Sequence, residues 1–121
     1  MYDFDSNAIL AEPIKSRKTK HLIEGFTSCH KRFTDAGITP ILLRLDNEIS
    51  SDLIDAIHSK NLKYQISNAY NHRHNLAEQV IQTFKDHFIS IMNGYDARFP
   101  THLCCRLIHQ TKQTLNLLRR S

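Results

Sequence analysis

Apolar residues recur along the chain at two periods, and the alternation between them sets out the elements. Between residues 16 and 36, Leu22, Phe26, Cys29 and Phe33 follow at steps of four, three and four, with Ile23 alongside, and Gly37 stands where a helix would stop. Residues 8–14, Ala-Ile-Leu-Ala-Glu-Pro-Ile, follow a Ser6-Asn7 turn signal and predict a short strand, with Pro13 ending it or holding it at an edge. Residues 40–45, Pro-Ile-Leu-Leu-Arg-Leu, are a near-continuous apolar run of strand length, the pattern of a central strand buried on both faces. Ser50-Ser51-Asp52 caps a short helix carrying Leu53, Ile54 and Ile57. Asn61 breaks that helix, and residues 62–66 alternate as a strand should. The longest helical pattern covers residues 76–92 and ends at Asn93-Gly94. A last helix is predicted over residues 101–118, with Leu107, Ile108, Leu115 and Leu118 on one stripe.

Strand, helix, strand, helix, strand, helix, helix is an α/β order. Its length of 121 residues, with no internal repeat, low-complexity tract or linker, predicts a single domain over residues 1–121, of which about 95–121 form a helical C-terminal part. Charge adds one thing to this picture. Sixteen Lys and Arg against 12 Asp and Glu leave a net charge of +4, and the cations cluster: Lys15, Arg17, Lys18 and Lys20, then His72-Arg73-His74, then Arg119-Arg120. Such clusters suit phosphate contacts. No apolar run approaches bilayer thickness, and the acidic opening Met1-Tyr2-Asp3-Phe4-Asp5 is unlike a secretory leader. Three cysteines, two of them adjacent, make no disulfide framework. An intracellular chain, in nucleus or cytoplasm and off the membrane, is the expectation.

Chemistry concentrates at two places. On a helix over residues 76–92, Ala77, Val80, Phe84, Phe88 and Ile91 share one arc, while Glu78, Gln82 and Lys85 share a polar ridge opposite. A solvated helix face accounts for that ridge when it is taken alone. Asp46, directly after the apolar run, falls at a strand's C-terminal end, where open α/β sheets place their ligands, although a turn or cap role is the better account of the aspartate taken alone. A strand-end Asp and a helix Glu are together the oxygen ligands that a divalent-metal phosphoryl-transfer site needs.

These residues also carry a resemblance. Leu43-Arg44-Leu45-Asp46-Asn47-Glu48, and then residues 71–85, Asn-His-Arg-His-Asn-Leu-Ala-Glu-Gln-Val-Ile-Gln-Thr-Phe-Lys, resemble the catalytic core of retroelement integrases. Residues 114–119, Thr-Leu-Asn-Leu-Leu-Arg, are similar to the helix that follows that core, and the likeness runs from about Tyr2 to Ser121. The resemblance implies an RNase H-like fold, a mixed sheet flanked by helices. It also implies metal-dependent DNA end processing and strand transfer, with DNA as partner, Mg²⁺ or Mn²⁺ as cofactor and homo-oligomers as an option. By position, Asp46 and Glu78 would be catalytic metal ligands. Lys85 would clamp phosphate, and Gln82 and Arg73 would lie on the DNA-binding surface.

Departures from the family pattern shape the expectation. Asp46 and Glu78 are 32 positions apart, a somewhat short interval for the family. The opening residues resemble the hairpin that follows the family's first strand, so that strand and its aspartate are expected to be missing, as in a fragment; Asp3 and Asp5 are weak substitutes. Gln79 and Gln82 stand where related frames often carry Arg. His72 and His74 lack further zinc ligands at standard spacing. His102, Cys104, Cys105 and His109 lie within one eight-residue stretch, where the cysteines read better as buried small residues than as part of a metal or nucleophile site. Glu48 is a spare carboxylate near Asp46. Two other readings remain: a catalytically dead, nucleic-acid-binding remnant with the same fold, and a small α/β protein-interaction domain.

Overall fold

The computed structural model describes residues 1–45, 49–67 and 76–119. Its elements in chain order are α1 (Thr19–Asp35), β1 (Leu42–Leu45), α2 (Ser51–His58), β2 (Lys63–Ile66), α3 (Leu76–Gly94) and α4 (Cys104–Leu118), the last entered through a 3-10 turn at Thr101–Leu103. The protein is therefore mixed α/β, as its sequence order predicts. The chain forms two compact units, residues 14–74 and residues 1–13 with 75–121.

In the unit of residues 14–74, α1 starts after an extended Lys18 and buries Cys29 and Phe33. It ends where Gly37 was expected to end it. Gly37 has φ +81°, the Gly37 amide donates to the Thr34 carbonyl and the Ile38 amide to that of Phe33. That pairing is a Schellman motif, whose left-handed residue is cheapest as glycine. α2 buries Ile57 completely, and Leu62 just beyond it is buried too. Asn61, with φ +56°, makes the sharp exit between them. The strands β1 and β2 flank α2 and pair in parallel, Leu42 opposite Lys63 through Leu45 opposite Ile66. The Tyr64 ring meets His58 of α2 edge-on.

Two expectations need correction here. Among the described residues the sheet has two parallel strands and is not mixed. β1 is also not buried on both faces. Its residues alternate between exposed and half-buried, with Leu42 52% exposed and Ile41, just before it, 73%. The continuous apolar run suggested cover on two sides, but alternate residues of β1 stand exposed.

The other unit is built on α3 and α4. Ile9, Val80 and Leu115 make its buried centre, with Tyr2 and Phe84 packed against them. The chain's opening forms a hairpin, in which the Leu10 amide donates to the Met1 carbonyl and the Asp3 amide to that of Ala8. Asn7 (φ +58°) closes its turn, and the Asp3 carboxylate accepts from the Ser6 amide and hydroxyl. Only a single bridge, Tyr2 to Ile9, has strand geometry. The strand predicted over residues 8–14 is thus a correction. On its other side Ile9 is held by a side chain: Asn116 of α4 accepts from the Ile9 amide and donates to the Ile9 carbonyl, both at 2.9 Å. Arg119 donates to Asn7 and lies over the Tyr2 ring.

On α3, Val80 is buried as expected, while Phe84 and Phe88 are half-buried and stacked on each other at 6.5 Å. The stripe on α4 differs from the one predicted. Leu107, Thr111, Lys112 and Leu115 are buried, whereas Leu118 is 72% exposed at the helix's last position. The Thr111 hydroxyl satisfies itself on the Leu107 carbonyl at 2.7 Å, which lets a polar residue occupy a fully buried site. No helix among the described residues is long and apolar enough to cross a membrane.

Candidate functional site

α3 sets the geometry of the candidate site. One face is anchored on Ile9 and Leu115 through Val80 and Phe84. The opposite face therefore has a fixed outward direction, and Glu78, Gln82 and Lys85 all stand exposed on it. Glu78 lies in the helix's first turn, where a carboxylate is favoured by the helix dipole. Glu78 and Lys85 are two turns apart, about 10 Å along the axis at 1.5 Å per residue. At that spacing the ammonium can meet an anionic group and the carboxylate a cation without quenching each other.

Gln82 is less available than the sequence suggests. Its amide donates to the Asp86 carboxylate at 2.8 Å. Asp86 is a ridge residue that the sequence reading did not weigh. The signal was present, since Gln and Asp at i and i+4 on a helix pair in this way. Asp86 adds a second negative charge beside Lys85, so the ridge alternates acid, amide, cation, acid. A cation and a phosphate could both be accommodated along such a line.

Asp46 and Arg73, and with them Glu48, His72 and His74, lie outside the described residues. The last residue of β1, Leu45, is the one before Asp46. Among the described residues no group of three His, Cys, Asp or Glu side chains is placed to hold a metal ion. The donor chemistry of Glu78, a hard carboxylate in water, suits Mg²⁺ or Mn²⁺, but one carboxylate is not a ligand set.

The remaining candidates separate. Cys105 is exposed and its thiol faces the His102 carbonyl at 3.8 Å; Cys104 is half-buried. The expectation that both are buried core cysteines is corrected to this extent. In the loop before α4, the Asp96 carboxylate accepts from the Arg98 amide and guanidinium, and these bonds hold its carboxyl below the ordinary range. Asp3 and Asp5 belong to the hairpin, where Asp3 is engaged by Ser6. No protein-family model, curated protein or solved structure matches the chain.

Proposed function

We propose that the chain is catalytic-core sequence of a retroelement-type integrase, an RNase H-like fold that acts on DNA by phosphoryl transfer. The observation that carries this reading is the ordered ridge of α3, with Glu78 and Lys85 exposed two turns apart and the opposite face locked into a core. The order of residue types around it, from Asp46 to the Asn-Leu-Ala-Glu and Thr-Phe-Lys segments, supplies the rest. The parallel β1–α2–β2 unit is compatible with such a sheet.

In this reading Glu78 and Asp46 together hold Mg²⁺ or Mn²⁺, which supplies charge neutralisation at the reacting phosphate when bound. Lys85 holds a phosphate oxygen of the DNA end and sets its distance from Glu78. Gln82 must release Asp86 to reach DNA, so its contribution to affinity is small. A third carboxylate completes a two-ion site in the integrase family. Weak, millimolar-range metal binding is therefore expected of these two residues alone.

A double-substitution cycle tests the proposal. Mn²⁺ affinity would be measured for the chain, for Asp46→Asn, for Glu78→Gln and for both together. If the two carboxylates share an ion, either substitution weakens binding and the second adds little to the first. Affinity unchanged by Glu78→Gln would rule the reading out.

A further inference from the structure

We propose that the segment leading into α1, with that helix's first turn, is a docking surface for the sugar-phosphate backbone of duplex DNA. It is made of residues other than those of the α3 ridge and needs neither Asp46 nor Glu78. Lys15, Arg17, Lys18 and Lys20 are all exposed. The first turn of α1 holds no acidic residue, and Lys18 at its N-cap position makes no side-chain capping bond. Glu24 is the first carboxylate after this cluster in the sequence. Four cations thus gather at the positive end of a helix, against Glu12 before them and Glu24 one turn beyond Lys20, and the cluster keeps a net positive charge. That arrangement is unfavourable for the helix and favourable for a bound polyanion.

The surface is held in place. The Ser16 hydroxyl is 2.7 Å from Nδ1 of His21 and accepts from the Lys18 amide at 3.3 Å, so the lead-in is tied to the helix it enters. Ile14 is seated against Gly25: its Cγ2 lies 2.8 Å from where a β-carbon on residue 25 would stand. A larger residue at 25 would push the lead-in away. These contacts reduce the ordering cost of presenting the cations together.

Nucleic acid fits this surface better than a lipid bilayer. Residues 15–21, Lys-Ser-Arg-Lys-Thr-Lys-His, contain no apolar side chain; Ile14 and Leu22 on either side are partly exposed but form no continuous apolar face, and Cys29 and Phe33 of α1 are buried within the unit. Amphipathic membrane helices instead offer an apolar face beside their cations.

The test compares two substitution pairs of equal charge on the full chain. Lys15→Gln with Arg17→Gln alters the proposed surface. Lys31→Gln with Arg32→Gln removes the same charge near the other end of α1, about 20 Å along the axis from Lys18. Affinity for a labelled duplex of arbitrary sequence is followed by anisotropy as salt rises. Losing two phosphate contacts lowers the slope of log affinity on log salt by about 1.8, so from about 50 to 200 mM salt the first pair loses roughly tenfold less affinity than the parent. The second pair keeps the parent's slope. Equal effects of both pairs, no duplex binding at low salt, or tighter binding to phosphatidylserine vesicles than to duplex would each overturn the inference. All titrations are run with EDTA, so no metal at Asp46 and Glu78 contributes and failure of the metal reading stays distinguishable from failure of this one.

Discussion

Single side chains decide how the helical unit closes, and two of them make opposite predictions from similar sequence positions. Leu115 is buried in the Ile9 and Val80 cluster, while Leu118, three residues on, is exposed. Leu115→Ala should cost about 2–4 kcal/mol, whereas Leu118→Ala should stay within about 0.5 kcal/mol. Urea denaturation of the two variants reads this directly, and equal costs would put the wrong face of α4 inward. Asn116 carries the hairpin, since its amide satisfies both polar groups of Ile9. Asn116→Ala strands a buried amide and carbonyl and should cost about 1–3 kcal/mol in the same measurement. Asp96 gives a pH signature. Its carboxyl is held low by the bonds from Arg98, so the loop contact is intact above the ordinary aspartate range and is lost as pH falls through the lowered value. In carboxyl-carbon NMR titrations, Arg98→Ala should move the Asp96 midpoint upward.

Helices and strands were legible to different degrees. The 3.6-residue period showed α1, α3 and α4 because each buries one stripe, and Gly37 and Asn61 marked ends that need a left-handed residue. Gly37→Ala should therefore destabilise by about 1 kcal/mol through backbone strain alone, as no neighbouring atom would meet the added carbon. The strands were harder to read. Both β1 and β2 have only four residues, and the apolar run before Asp46 is covered on one side only. Residues 8–14 read as a strand because of their composition, but Ala8 and Leu10 pair only with the short opening hairpin and the polar groups of Ile9 are satisfied by Asn116, more than a hundred residues away in sequence. Likewise the period places Thr111 between Leu107 and Leu115, but its polarity, like that of Lys112, hides the burial. That burial depends on the Thr111 bond to Leu107 and on packing, which a stripe of apolar residues does not reveal.

For the whole molecule, the candidate site was half legible. The helix periodicity correctly put Glu78, Gln82 and Lys85 on one exposed ridge, although it did not show that Gln82 is tied to Asp86. What the ridge does with a metal and DNA is the proposal, and it stands on Asp46 and Glu78 sharing one ion. The most direct measurement is a titration of the chain with Mn²⁺, read by paramagnetic broadening of the Asp and Glu side-chain carboxyl resonances. The account predicts that the Asp46 and Glu78 signals broaden first and together. It also predicts that Glu78→Gln removes the early broadening at Asp46, and Asp46→Asn that at Glu78. Broadening at one residue that persists when the other is substituted, or that begins elsewhere in the chain, would contradict it.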